Sequence, residues 1–309
     1  MGTHTRCLRG EQLTQRIGRT PLLRLDRLPR AFGLDPEVQL LAKAEWFNPG
    51  GSVKDRAALR IVEDARKDGR LRPGMTLLDA TSGNTGIAYA MIGAAWGFPV
   101  TLVVPASISE ERRRILLAYG AHLLFSDPYE GTDGSIRLAR ELASREPDRY
   151  FYADQYSNPS NWLAHYYGTA EEILEQTEGE VTHLVVGLGT TGTLMGTGRR
   201  LKEANPDVVL VGVQPDDPLH GLEGLKHLAT AMVPAIYDPS LVDRMEFVDT
   251  DEAYAMARQL AREEGLLVGP SAAAAVVAAI RVARDLEHGL VVTVLPDSGV
   301  KYLSTQLWQ

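Results

Sequence analysis

The sequence predicts an α/β protein of two closely joined lobes, each built on a mostly parallel sheet flanked by helices. Three observations carry this. From about residue 75 onward, short β-rich apolar runs alternate with segments of helical period, the pattern of βαβ units. At 309 residues, with 44% hydrophobic and 23% charged positions, the chain can bury a large core, and its length suits two lobes better than one. No internal repeat, low-complexity tract or long linker separates the parts, and Gly and Pro fall at element ends.

Taken in order, strands are predicted over residues 76–80, 100–104, 122–126, 150–153, 182–187, 208–214 and 290–295, with helices between most of them. A helix over 53–67 has a defined start and stop: Ser52 caps it, with Asp55 three residues on, and Gly69 ends it. Lys54 therefore falls in its first turn. The net charge of −8 comes from 40 acidic and 32 basic residues interleaved along the chain, which leaves no footprint for nucleic acid or an anionic membrane. The single cysteine, Cys7, excludes an intrachain disulfide or a Cys-based zinc cluster and suits a reducing compartment. Residues 1–12 have no apolar core of signal-peptide length, and no later segment is apolar enough to span a bilayer, so a cytoplasmic location is expected.

Three stretches carry chemistry. The first is Asn48-Pro49-Gly50-Gly51-Ser52-Val53-Lys54-Asp55-Arg56, a flexible turn that delivers a lysine to a helix start. The positive end of the helix disfavours a cation, and with desolvation it lowers the ammonium pKa toward the neutral amine that a Schiff-base nucleophile must be. Read alone, Lys54 also fits a solvated surface lysine beside Asp55. The second is Thr81-Ser82-Gly83-Asn84-Thr85-Gly86, between a strand and an apolar helix over 87–96, where backbone N–H groups and three hydroxyls can surround a carboxylate. Asn84 adds an amide able to donate to a phenolate-like oxygen. A plain capped βα loop would look the same.

The third is Gly187-Leu188-Gly189-Thr190-Thr191-Gly192-Thr193, again between strand and helix, a cradle for a dianionic phosphate that lacks the Gly-Lys-Ser/Thr ending of a nucleotide P-loop. It also matches Gly-x-Gly-x-x-Gly, the dinucleotide fingerprint, with Asp216 and Asp217 beyond it for a ribose. A nicotinamide oxidoreductase would explain this stretch alone. A lysine, a carboxylate loop and a phosphate loop together describe an amino-acid site built around pyridoxal 5′-phosphate (PLP).

On these residues the chain resembles the fold-type II PLP enzymes (tryptophan synthase β-like), specifically the cysteine synthase and cystathionine β-synthase family, over nearly its whole length. Asp154-Gln155-Tyr156, Asn158-Pro159, Gly269-Pro270-Ser271, Pro296-Asp297-Ser298-Gly299 and Lys301-Tyr302-Leu303-Ser304 extend the match. The resemblance implies that Lys54 forms the Schiff base with PLP and that Asn84 bonds the cofactor's 3′ oxygen. It implies that Gly189, Thr190, Thr191, Gly192 and Thr193 hold the phosphate, that Ser271 faces the pyridine nitrogen, and that Thr81, Ser82, Thr85 and Gln155 bind the substrate carboxylate. A serine rather than an aspartate at the ring nitrogen favours elimination over transamination. The implied reaction is β-replacement on an activated serine, O-phosphoserine or O-acetylserine, by sulfide or a protein thiocarboxylate, giving cysteine through an aminoacrylate. Cystathionine-type or amine-using replacement is the alternative on the same fold. A homodimer is implied, with residues 44–147 as a smaller substrate-binding lobe and 1–43 with 148–309 as the larger lobe.

The chain departs from the common family pattern at Ala272-Ala273-Ala274, where most relatives continue with Ser/Thr-Gly-Gly/Ala, and a packing change is expected there. Thr191 stands where many members have glycine. With Leu194-Met195-Gly196-Thr197-Gly198 and the ending Gln306-Leu307-Trp308-Gln309, it resembles the O-phosphoserine-using, cysteine synthase B-like branch. In that branch a basic residue before a Val-Pro-x-x-Tyr-Asp-Pro run contacts the substrate phosphate. Here the run is residues 233–239 and the matching basic position is Lys226, flanked by His220 and His227. A lysine is a weaker bidentate phosphate partner than an arginine, and a solvated loop lysine is the competing account.

Overall fold

The computed structural model describes residues 10–309 other than 82, 107 and 128. Ten strands form two sheets: β1 (Leu22–Arg24), β2 (Val38–Ala44), β3 (Thr76–Ala80), β4 (Val100–Pro105), β5 (His122–Ser126), β6 (Tyr150–Tyr152), β7 (His183–Gly187), β8 (Val209–Pro215), β9 (Arg244–Val248) and β10 (Gly289–Leu295). The larger sheet runs in the order β1-β2-β10-β7-β8-β9 and the smaller in the order β5-β4-β3-β6. Every pairing is parallel except that of β1 with β2. All seven strands read from the sequence are present, each within one residue of its predicted bounds.

Three strands were not anticipated. β1 has only three residues, and β9 is an edge strand whose Arg-Met-Glu-Phe-Val lacks a clear apolar face. β2 is a central strand with a lysine in it: Lys43 is fully buried, its ammonium held by the Thr20 carbonyl at 2.7 Å and by Glu172 at 2.7 Å.

Parallel pairing decides where the site lies. β10 pairs with β2 so that Leu295 sits opposite Ala44, and it pairs with β7 in the same sense. The carboxyl ends of β2, β10 and β7 therefore share one edge, and each feeds a segment singled out above: 45–54, 296–302 and 188–192. The carboxyl end of β3 in the smaller sheet feeds the Thr81 loop. Crevices beyond the carboxyl ends of parallel strands are where open α/β sheets bind ligands.

The helices fit their burial. Helix Asn84–Trp96 is apolar on every side and buries Thr85 through Gly93, as a helix enclosed by a core must be. Helix Pro270–Arg284 is likewise enclosed, and Ala272, Ala273 and Ala274 have no solvent exposure. The alanines thus let this helix pack closely against helix Thr250–Glu263 and the larger sheet. The final turn, Gln306–Trp308, docks on the same helix and on the C-terminal segment. There Arg258 donates to the Leu307 carbonyl at 3.0 Å and the Trp308 indole donates to Gly299 at 3.3 Å. Among the described residues no helix is long and apolar enough to cross a membrane.

Candidate active site

A cavity of about 310 Å³ opens between the two sheets, lined by Lys54, Thr81, Asn84, Thr85, Gln155, Gly189, Thr190, Thr191, Thr193, Lys226 and Ser271. Of the predicted site residues among the described ones, only Gly192 is not in its lining. Gly192 opens helix Gly192–Ala204 directly behind Thr191, and Ser82 lies outside the described residues.

Lys54 lies in the first turn of its helix, as the sequence predicts, but the helix spans Lys54–Lys67, one residue later than expected, and its start is built differently from a capping box. The Ser52 hydroxyl accepts the Lys54 N–H at 3.3 Å, while the backbone of Ser52 pairs with Asp297 in an isolated bridge. The Asp55 carboxylate instead turns back to the Gly50 N–H. Gly51 makes this turn possible with φ +75°, and Gly69 ends the helix with φ +78°, both in the left-handed region where a Cβ is disfavoured. Burial pushes the Lys54 ammonium down from its ordinary value, against the raising influence of Asp297 and Glu45. The solvated-lysine account of Lys54 is thereby removed: its side chain faces the cavity.

Beneath Lys54, Arg56 is clamped by two carboxylates. It meets Glu45 at 2.7 and 2.9 Å, and Glu172 at 2.6 and 2.7 Å. Glu45 also accepts from Thr20 at 2.7 Å and Asn48 at 2.8 Å, so the segment leading to Lys54 is anchored by side chains at both ends.

The carboxylate loop begins where β3 ends. The Thr81 hydroxyl accepts the Gly83 N–H at 3.3 Å, and the Thr85 hydroxyl donates to the Gln155 side chain at 2.8 Å. The Gln155 amide donates to the Ala80 carbonyl at 3.2 Å, which ties the loop to the chain following β6. Asn84 opens the next helix with its amide fully oriented. Its N–H₂ donates to Asp297 at 2.7 Å and its carbonyl accepts from Lys301 at 2.7 Å.

The phosphate loop is a tight fit. A Cβ on Gly189 would strike the Gly224 carbonyl, and one on Gly192 would strike the Asn161 side chain. Thr191 stands at φ +68° with its hydroxyl buried and without a partner, and Asn161 donates to the Thr190 hydroxyl at 3.1 Å. A concave loop of backbone at a helix start, with an unpartnered hydroxyl, suits an anion with several acceptor oxygens. A ribose-binding role for the loop finds no support: Asp216 and Asp217 are exposed and do not line the cavity.

Lys226 also lines the cavity, with its side chain 11% exposed. Its ammonium lies 5.0 Å from the centre of the Tyr156 ring and 3.8 Å from Asp133. Burial pushes its pKa down while Asp133 raises it. His220 and His227 do not line the cavity; their ring nitrogens engage the Leu222 N–H and the Thr230 hydroxyl. Sequence reasoning assigned no role to Arg112, Glu223 or Tyr302, which line the cavity too. Arg112 forms an ion pair with Glu223 and stacks over the Tyr302 ring at 5.3 Å. Glu223 and Tyr302 lie about a hundred residues or more beyond Arg112, so no local spacing in the sequence marks the group.

A half-buried lysine beside an anion cradle, an oriented amide and a carboxylate loop defines a PLP enzyme acting on amino acids. Residues 13–297 match the model of the pyridoxal-phosphate dependent enzyme family. The chain is 52% identical to the cysteine synthase of Aquifex aeolicus (strain VF5), over 96% of this chain and 92% of that one. It is 44% identical to cysteine synthase B of Pseudomonas aeruginosa, over 94% and 95%. Among solved structures, O-acetyl serine sulfhydrylase isoform 3 of Entamoeba histolytica superposes with a TM-score of 0.91 at 38% identity, covering 100% of this chain and 93% of that one. The chain belongs to the PLP-dependent cysteine synthase family, a group of fold-type II enzymes that form cysteine by replacing the β-substituent of an activated serine.

Proposed function

We propose that this enzyme replaces the phosphate of O-phosphoserine with a sulfur nucleophile. The observation that carries this choice of substrate is a cavity with two cationic side chains, Lys226 and Arg112, in its wall. Each faces a carboxylate, Asp133 and Glu223 respectively. A dianionic leaving group can displace such carboxylates and gain charge-assisted hydrogen bonds, which a neutral acetyl ester cannot.

In this reading Lys54 anchors the cofactor, Asn84 donates to its ring oxygen, and 189–193 hold its phosphate through backbone N–H groups and threonine hydroxyls. Ser271 faces the ring nitrogen. Thr81, Ser82, Thr85 and Gln155 bind the substrate carboxylate, which fixes Cα near Lys54. When bound, PLP supplies the electron sink that acidifies Cα and drives off the β-substituent. The Lys54 amine, whose pKa burial lowers, takes the Cα proton and returns it after sulfur has added.

We also propose that residues 44–147 act as a smaller lobe that moves against the rest, with the Arg112–Glu223 pair breaking and re-forming as substrate enters. The working form is a homodimer, and sulfide or a protein thiocarboxylate is the sulfur source, both supported by family resemblance; a cytoplasmic location is supported by the sequence, which offers no signal-like or membrane-spanning segment.

The test is the visible spectrum of the purified protein, followed by separate additions of O-phosphoserine and O-acetylserine with sulfide and identification of the product. A bound chromophore that changes on adding O-phosphoserine, with cysteine as product, supports the proposal. Turnover of O-acetylserine alone moves the substrate to the acetyl ester. A different amino-acid product points to another nucleophile.

A further inference from the structure

We propose that Lys301 is a positioning residue: it locks the Asn84 amide in the one orientation that leaves an N–H for the cofactor's ring oxygen, and it ties that amide to the turn that carries Lys54. The inference rests on the cofactor assignment given above and adds a residue that lies outside the cavity wall.

The geometry is specific. The Lys301 ammonium donates to the Asn84 carbonyl oxygen at 2.7 Å, and to the Gly50 and Gly51 carbonyls at 3.1 and 3.2 Å. Its three N–H bonds are thus all used. On the other side of the amide, the Asn84 N–H₂ donates to Asp297 at 2.7 Å, and the same carboxylate oxygen accepts from the Tyr302 hydroxyl at 2.8 Å. An ammonium can only donate and an ionised carboxylate can only accept, so the two partners together fix which end of the Asn84 amide is oxygen and which is nitrogen. One hydrogen of the amide nitrogen goes to Asp297, and the second remains for the cavity that Asn84 lines. Neither Lys301 nor Asp297 lines that cavity, so both act through Asn84.

The second half of the clamp lies in the turn before Lys54. A Cβ on Gly51 would stand 3.4 Å from the Lys301 ammonium, and this glycine sits at φ +75°. The ammonium therefore reaches both carbonyls of a turn that only glycine forms without strain. One half-buried cation thus connects helix Asn84–Trp96, the Lys54 turn and the C-terminal segment. Without it only Asp297 orients the amide, and the carbonyl loses the donor that holds it away from the anionic ring oxygen.

The experiment is a double-mutant cycle on PLP-loaded protein with Lys301→Met, Asn84→Ala and the pair, read by the visible spectrum and by PLP affinity in equilibrium dialysis. Circular dichroism checks that each variant is folded. Lys301→Met alone is expected to shift absorbance from the band of the anionic ring oxygen to the shorter-wavelength band of its neutral form. It is also expected to weaken PLP binding about tenfold, the effect of losing one charge-assisted hydrogen bond. In the Asn84→Ala background the same substitution is expected to weaken binding by about threefold or less, because only its contacts with the Gly50 and Gly51 carbonyls remain to be lost. A wild-type spectrum in Lys301→Met, or an equal effect in both backgrounds, overturns the proposal. Should the methionine variant fail to fold, Lys301→Leu, which likewise has no donor, enters the same cycle with the same two deciding outcomes. Wild-type protein that takes up no PLP overturns the cofactor assignment itself, an outcome visible before any variant is compared.

Discussion

Glu45 and Arg56 form a buried two-point ion pair, at 2.7 and 2.9 Å, directly below the turn that presents Lys54. Glu172 completes the guanidinium's shell. Removing one member of a buried pair leaves the other charge unsatisfied, at a cost of about 3–5 kcal/mol. Arg56→Met is therefore expected to lower unfolding stability by that amount in a denaturant titration. Arg56→Lys is expected to recover only part of it, because an ammonium cannot make the parallel contacts of a guanidinium. A loss under about 1 kcal/mol for Arg56→Met would show the cluster to be dispensable.

The legible part of the fold was the part with one periodicity. Strands such as 183–187 and 290–295 read correctly because they are short, apolar and bounded by turns. β2 did not, because Lys43 looks like a solvent residue until Glu172, 129 positions later, is folded against it. The site divided in the same way. Lys54, Asn84 and the glycines at 189 and 192 stand in local runs whose spacing has a mechanical reason. Arg112, Glu223 and Lys301 act only through residues distant in sequence.

Two buried aspartates contribute to the pH dependence of stability. Burial raises Asp79, on β3, to about 7, and Asp55 to about 7 as well. Between an unfolded value of 3.8 and about 7 the native state keeps protons that the unfolded chain has lost, so stability falls as pH rises through that interval. Glu172 has the opposite sign. Burial works against its charge, but Arg56 and Lys43 outweigh it and hold the carboxylate at about 2. Its contribution is full above an unfolded value of 4.5 and is lost as pH falls toward 2. Asp79→Asn is expected to flatten the slope between pH 4 and 7 in urea titrations at stepped pH, leaving the acid limb unchanged. An unaltered slope in this variant removes Asp79 from the account.

Lys54→Ala is expected to abolish turnover, a loss of at least about a thousandfold, since it removes both the covalent anchor and the proton carrier. The variant should still fold, because Ala favours helix starts no less than Lys and the Arg56 cluster stays whole. PLP should bind through 189–193 without the covalent visible band and dialyse away. Full activity in this variant would sink the assignment.

Lys226 separates two substrates by one charge. Its contribution to a phosphate should be a charge-assisted bond of about 1.5–3 kcal/mol, or roughly 10- to 150-fold. Lys226→Met is expected to lower kcat/KM for O-phosphoserine within that range and to change the value for O-acetylserine by less than about threefold. Equal losses on both substrates would mean that Lys226 shapes the cavity and does not read the phosphate.

Thr191 is a β-branched residue held at φ +68°, where its side chain crowds its own backbone, and its buried hydroxyl has no partner among the described residues. Such strain costs about 1–3 kcal/mol and persists where the surroundings over-determine it. Glycine removes the clash, but it returns about 0.5–1 kcal/mol of entropy to the unfolded chain. It also removes the hydroxyl proposed to bond the cofactor's phosphate. The two effects separate by ligation. Thr191→Gly is expected to melt about 2 °C higher than wild type without PLP, and to bind PLP about tenfold more weakly in equilibrium dialysis. With PLP present the order of melting temperatures should reverse, because ligand linkage then outweighs the relieved strain. If the variant melts higher in both states, the strained threonine contributes nothing to the cradle, and backbone donors alone hold the phosphate.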